Sequence, residues 1–563
     1  MEASDVWFIL SLLGILLLTS PSLGHGIATL LSNREPRFLG WLTPLEKGLY
    51  RLSGQDITRE MSWKQYASAL LIFNAVGWVG LFALQMCQHF LPANPEHLTA
   101  VPAALAFNTA VSFVTNTNWQ AYAGETTMSY LTQMLGLGVQ NFLSAATGIS
   151  VLAVWARGLS RKETHLIGNF FQDLVRITLY LLLPLASLWA LLLISQGVIQ
   201  NFSAYLDATT VEGAIQRIPM GPAASQIAIK QLGSNGGGFF GANSAHPFEN
   251  PTGLSNFLQI LGILLIPCAL PFTFGKLIGD KKHGSLIFST MGCLFLLALG
   301  VALYVESFGT PILGHLPFMG GKEVRFGLGS STLWTLATTA TSNGSVNAMI
   351  SSAAPLTGLL AMFNIMLGEV LFGGVGCGMY GMGLFILLTV FIAGLMVGRT
   401  PEYIGKKIEA PEIKLAVIGV LAPCAVILLF SAIACLCPAG LASVSSKGPH
   451  GLSEILYAFS SAAGNNGSAF GGLNANTDFY NLMTGVGMLI GRYSILIPVL
   501  AIAGQLAKKK RTPPSSGTFP TDTWLFGCLL AATILIVGGL TFLPALTLGP
   551  VVEHLLMLQS RIF

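Results

Sequence analysis

The chain has 563 residues, 53% hydrophobic and only 9% charged, with a mean hydropathy of +0.68 and a formal charge of +4. A soluble domain carries about 25% charged residues, and this chain would expose large apolar patches to water. A soluble globular protein is excluded; membrane lipid is the expected surrounding, and no nucleic-acid partner is expected.

Chain order gives the spans. A membrane helix needs about 20 mostly apolar residues, and ten stretches qualify: 6–25, 66–88, 127–156, 171–197, 254–278, 285–306, 356–398, 415–438, 482–506 and 523–546. The expected fold is therefore an all-α polytopic membrane protein with ten transmembrane helices. The first run, Val6 to Leu18, follows the acidic MEASD and lacks the positive n-region of a cleaved signal, so it reads as a retained span. The seventh is long enough to be broken. Eight cysteines show no CxxC and no metal-ligand spacing. Cys268, Cys293, Cys424, Cys435 and Cys528 lie in apolar runs and read as small buried hydrophobes.

Basic residues cluster in alternate loops. They are Arg34, Arg37, Lys47, Arg51, Arg59 and Lys64, then Arg157, Arg161 and Lys162, then Lys276, Lys281 and Lys282. Arg399, Lys406, Lys407 and Lys414 follow the seventh span, and Lys508, Lys509, Lys510 and Arg511 the ninth. Positive loops stay in the cytoplasm, which predicts both termini outside.

Four of the opposite loops each hold a helix-like stretch of about 11 residues, too short to cross a bilayer. These are Pro102 to Val114, Pro222 to Leu232, Ser330 to Ala340 and Leu452 to Ala462. Each ends at a polar, amide-rich segment: NTNWQAYAGE, SNGGGFFGAN, SNGSVNAM and NNGSAFGGLN. The four align at Asn118, Gly236, Gly344 and Gly467, with separations of about 110–125 residues, a period suited to two spans plus a hairpin. Gly accepts positive φ freely and Asn is among the few other residues enriched there. A left-handed turn is expected at all four positions, aiming successive carbonyls inward.

Irregular backbone at membrane depth is tolerated only where protein buries it or it lines a watery cavity. Ordinary turns also favour Asn, Gly and Ser, but four copies after four short helices favour a carbonyl-lined ion filter. The helix C-termini aim their negative dipole ends at the loops and favour a cation. A divalent ion would call for Asp or Glu, and the loops' central residues carry none. The pattern suits potassium.

The strings VTNTNWQAYAGE, QLGSNGGGFFGANSAHPFENPT, TATSNGSVNAM, GRTPEYIGKKIEAPEIK and AAGNNGSAF resemble the KdpA family essentially end to end. These are the potassium-binding subunits of the bacterial Kdp ATPase, in the superfamily of potassium transporters. The resemblance implies four membrane–pore–membrane repeats, at 61–160, 161–283, 284–412 and 413–511. One extra span lies on each side, within 1–60 and 512–563. It implies a potassium filter of Asn116, Thr117 and Asn118; Ser234, Asn235 and Gly236; Ser342, Asn343 and Gly344; and Asn465, Asn466 and Gly467. Gln120 would tune affinity at its mouth. It further implies an intramembrane tunnel to the P-type ATPase subunit KdpB, with KdpC and KdpF completing a complex in the bacterial inner membrane. Asn118 stands where the other repeats have Gly, as in the family. Ile350 and Ser351 replace a His and an Asp associated with the third loop, outside its triplet.

The chain has no GxxxxGK[ST] loop and no DKTGT motif, so ATP binding is not expected of it. It is expected to be a non-catalytic, ion-translocating subunit. A stand-alone potassium channel or cation symporter of the same superfamily is the alternative. An intramembrane enzyme lacks support, with no HExxH and no His-box.

Ionisable residues at membrane depth are functional candidates by default. Arg492 reads as a charge beneath the filter that blocks straight-through leak, or as a cap on neighbouring carbonyls. Glu369, beside a glycine cluster from Gly373 to Gly383, reads as part of a gating loop, or the cluster serves close helix packing. Lys230 and Arg176 read as structural, Lys230 by bonding the last carbonyls of its short helix.

Overall fold

Among the described residues, ten helices are long and apolar enough to cross a membrane. We number them spans 1 to 10: Ala3–Leu31, Trp63–Phe90, Thr132–Ser160, Phe170–Ser195, Gly253–Ile278, Lys281–Phe308, Cys377–Met396, Ala410–Leu436, Asp478–Lys508 and Trp524–Leu558. The structure, a computed structural model, describes residues 3–32, 39–54, 56–309, 311, 314–396, 398, 400–513 and 519–561. Arg34, Arg37 and Arg399 lie outside the described residues. Helices dominate because each satisfies its own backbone groups where no water can. The described strands form only three small two-stranded antiparallel sheets. The fold is an all-α polytopic membrane protein.

The long seventh run resolves into two pieces. A helix of 12 residues, Pro355–Met366, precedes span 7 and is separated from it by the glycine-rich stretch 367–376. Hydropathy does not register that break, because Leu367, Val370, Leu371 and Val375 keep the run apolar.

Spans 3, 5, 7 and 9 are 61–83% buried over their most apolar windows, whereas the other six are only 22–44% buried. These four pack against one another as the inner wall, each being the second span of an expected repeat. Spans 2, 4, 6 and 8 stand outside them; span 1 lies along span 5, and span 10 against spans 6 and 7. Cys268 is buried on an inner span, but Cys293 and Cys528 are exposed on outer spans. The expectation of buried cysteines therefore fails there: an apolar run also supplies the face a helix shows to lipid.

Four short helices run Ala103–Val114, Ala223–Leu232, Gly327–Ala340 and Pro449–Gly464, close to their expected positions. The first, second and fourth pack between the two spans that flank them; the third packs on span 6 and on Pro355–Met366. Polar ties hold the loop ends of the spans. Arg157 makes a two-pronged ion pair with Asp173 at 2.6 and 2.7 Å, linking spans 3 and 4. Lys406 Nζ donates to the carbonyls of Gly158 and Leu506 at 2.9 and 2.5 Å, capping spans 3 and 9. Arg176 pairs with Glu46 at 3.1 Å, the structural role expected of it.

His450 starts the fourth short helix and donates from Nδ1 to Glu553 Oε2 at 2.8 Å. That hydrogen bond raises the imidazole above its usual 6.5. A raised folded-state value means this contact stabilises fully below about pH 6.5 and is lost as pH climbs through the folded value. The thermal midpoint of the solubilised protein is expected to fall across that window. His450→Gln should flatten the step, which a pH series of melting curves reads directly.

Candidate ion-binding site

Each short helix ends one residue or less before an expected triplet, and the four junctions share a hydrogen-bond signature. The amide of the second triplet residue bonds back to a carbonyl five positions earlier: Thr117 to Ser112 (2.9 Å), Asn235 to Lys230 (2.7 Å), Asn343 to Thr338 (3.1 Å) and Asn466 to Ser461 (2.9 Å). With that N–H spent on the helix end, the loop is pinned as a direct continuation of it. The first triplet residue is left-handed in every repeat, with φ of +67, +49, +55 and +59° at Asn116, Ser234, Ser342 and Asn465. Sequence reasoning missed this position, because Ser does not advertise a left-handed turn as Gly does. Alternation of left-handed and ordinary φ turns successive carbonyls to one side of the chain.

The aligned position is left-handed at Asn118, Gly344 and Gly467, with φ of +55, +85 and +96°. Gly236 departs from the expectation, lying outside the left-handed region. Packing demands glycine there instead: a Cβ would sit 2.6 Å from Gly344 Cα. The same crowding closes the circle. A Cβ on Gly344 would overlap the Asn466 carbonyl, and one on Gly467 the Thr117 carbonyl. Asn116 Nδ2 donates to the Ser234 carbonyl at 3.0 Å, joining loop 1 to loop 2. Asn343 Nδ2 reaches the Asn235 carbonyl at 3.0 Å, and Ser342 Oγ the Asn465 carbonyl at 2.8 Å. Asn465 Nδ2 returns to Thr117 Oγ1 at 2.9 Å. All twelve triplet residues are thus brought together in a ring of loops ordered 1–2–3–4.

The ring opens onto a cavity of about 870 Å³, and Asn118, Gly236, Gly344 and Gly467 all line it. Both amide atoms of Asn118 are buried without a partner among the described residues. Gln120 lines the same cavity and pairs with both backbone groups of one residue, donating to the Gly238 carbonyl at 2.9 Å and accepting from its N–H at 2.8 Å. It stitches loop 1 to loop 2.

Off the cavity, Glu369 accepts from Asn466 Nδ2 at 2.7 Å, so the glycine-rich stretch touches the ring directly. Its glycines also serve close packing: a Cβ on Gly376 would collide with Gly148 of span 3. Arg492 is 4% exposed on span 9 and donates to the Ser144 carbonyl at 3.4 Å. Ser144 Oγ in turn donates to Asn116 Oδ1 at 2.7 Å. Among the described residues Arg492 forms no salt bridge. Ser144 was not legible as a site residue; its only signal was a hydroxyl amid an apolar span.

Lys230 corrects an expectation. Its Nζ does not cap its own helix but donates to Glu249 at 2.7 Å, Asn243 Oδ1 at 2.9 Å and Ser244 Oγ at 3.1 Å.

These features define a class: an all-α polytopic membrane protein whose four short helices deliver four amide-rich loops to one cavity. The chain belongs to the KdpA family, described as the potassium-transporting ATPase A subunit, whose model matches residues 10–555. It is 54% identical over 560 residues to a Pseudomonas aeruginosa protein named potassium-transporting ATPase potassium-binding subunit, covering 99% of each chain. A Rhodospirillum centenum protein of the same name is 55% identical over 569 residues, covering 100% of this chain and 99% of the relative. One from Methylorubrum extorquens is 54% identical, over 97% of each.

Proposed function

We propose that this chain is the potassium-binding, channel-like subunit of an ATP-driven, high-affinity potassium import pump. One observation carries the reading: four loops of identical hydrogen-bond pattern close into a ring, and their aligned residues line a single cavity. Backbone carbonyls and amides replace the water around a large monovalent cation without trapping it as a carboxylate would. The twelve triplet residues form the filter, re-entrant from the extracellular side, and Gln120 sets affinity at its mouth by fixing the gap between loops 1 and 2.

Potassium then passes Glu369, which is hydrogen-bonded to Asn466 of the ring, while Arg492 opposes direct exit to the cytoplasm. The ion is diverted through an intramembrane tunnel to the P-type ATPase subunit, KdpB, with KdpC and KdpF as the remaining partners. Both termini lie outside, in the bacterial inner membrane. This chain supplies selection and passage, and the partner supplies ATP hydrolysis.

Co-purification of the chain with its native complex, followed by ATPase measurement, tests this. ATP hydrolysis is expected to rise with potassium and saturate. Potassium uptake by vesicles holding this chain alone, without ATP, would replace the reading with that of a stand-alone channel.

A further inference from the structure

The filter ring is chemically uneven. Of the four carbonyls at the aligned positions, only that of Gly236 accepts a side-chain hydrogen bond among the described residues, from Asn243 Nδ2 at 2.7 Å. The amide that makes this bond is oriented from behind. Lys230 Nζ lies 2.9 Å from Asn243 Oδ1, and the Ser244 N–H lies 2.8 Å from the same oxygen. An ammonium and a backbone N–H can only donate, so the atom facing them must be the oxygen. The NH₂ must then face the Gly236 carbonyl.

Lys230 is itself fully buried, as is Glu249, its partner. Glu249 Oε1 accepts from the Phe240 N–H at 2.9 Å, and its backbone carbonyl accepts from Gln259 at 2.9 Å. Burying such a pair is costly and adds little stability over apolar packing. Its geometry gives it another use.

We propose that Lys230, held by Glu249, is a positioning residue that sets ion discrimination by locking the Asn243 amide onto the Gly236 carbonyl. This rests on the filter reading above. The clamp fixes the orientation of the Gly236 peptide and draws electron density from its oxygen. The second wall is therefore the stiffest and weakest ligand of the four. A small cation needs the ring to contract around it, and a wall tied from behind resists that. Without the ammonium, the Asn243 amide keeps only the Ser244 N–H and the Gly236 carbonyl as partners, so it is held less firmly and the peptide loses its fixed aim.

The test uses the intact complex and three variants: the neutral pair Lys230→Met with Glu249→Gln, Asn243→Ala, and Lys230→Arg. The readouts are half-saturating potassium, maximal potassium-stimulated ATP hydrolysis, and discrimination against sodium and rubidium. Loss of one hydrogen bond at the ring is expected to shift discrimination by about tenfold, with any change in half-saturation accompanying it. The neutral pair and Asn243→Ala should shift alike, and both more than maximal turnover falls. Lys230→Arg, which keeps a buried donor, should stay nearer the wild type.

Asn243→Ala leaves the ion pair in place and carries the test if the neutral pair does not assemble. Unchanged discrimination in Asn243→Ala overturns the clamp, as does an equal loss of turnover and discrimination in all variants. In either case a wild-type complex that still responds to potassium leaves the filter reading standing. A wild type indifferent to potassium removes both.

Discussion

Gly344→Asp is expected to raise half-saturating potassium steeply and to admit sodium. Two penalties coincide at this position. Its φ of +85° is a conformation that residues with a Cβ rarely adopt, and that Cβ would overlap the Asn466 carbonyl of the next loop. Strain of this kind costs about 1–3 kcal/mol, equivalent to roughly 5- to 150-fold in affinity. The carboxylate adds a fixed charge that favours smaller cations. Gly344→Ala separates the terms, since it carries the strain without the charge. It should weaken potassium binding while keeping more of the discrimination. Gly236→Asp should show the same loss of selectivity through packing and charge without the φ strain, because Gly236 lies outside the left-handed region. Potassium, rubidium and sodium titrations of ATP hydrolysis read all three. Wild-type affinity and discrimination in Gly344→Asp would remove that loop from the filter.

Arg492→Ala is expected to let ions leak. The guanidinium is buried and reaches Asn116 of the first loop through Ser144, which places it next to the ring. A unit charge roughly 10 Å from the ion's path, at an effective dielectric of about 20, adds about 1.7 kcal/mol to the barrier. Passive rubidium flux through vesicles holding the complex should rise roughly 10- to 20-fold, and ions moved per ATP should fall. Arg492→Lys keeps the charge but loses the planar fork, so it should stay tight while destabilising the contact with span 3. Normal coupling with only a lower melting point in Arg492→Ala would reduce the residue to a cap on the Ser144 carbonyl.

Sequence legibility followed the physics of each signal. Span number was readable because bilayer thickness imposes a length on every apolar run, and the short helices were readable because they fall below it. The break at 367–376 was only hinted at, by its glycines, because hydropathy measures transfer and not backbone direction. The glycine at position 236 was recognised for the wrong reason: its neighbour Gly344 leaves no room for a Cβ, a contact between residues far apart in sequence. Asn243 and Glu249 stood within the quoted motif but gave no sign of their targets. A side-chain amide's partner is set by the chain that packs against it.

The sequence by itself determined the medium, the ten spans and the fourfold recurrence of an amide-rich loop after a short helix. Those follow from local quantities: transfer free energy, helix length and the turn preferences of Asn, Gly and Ser. Only the tertiary structure decided that the four loops close on one another in the order 1–2–3–4 around one cavity. It also decided that Glu369 and the Arg492–Ser144 pair back onto that ring, and that Lys230 looks toward Asn243 and not its own helix end. Each of these depends on which surfaces meet when spans 3, 5, 7 and 9 pack as an inner wall, and no local preference encodes that.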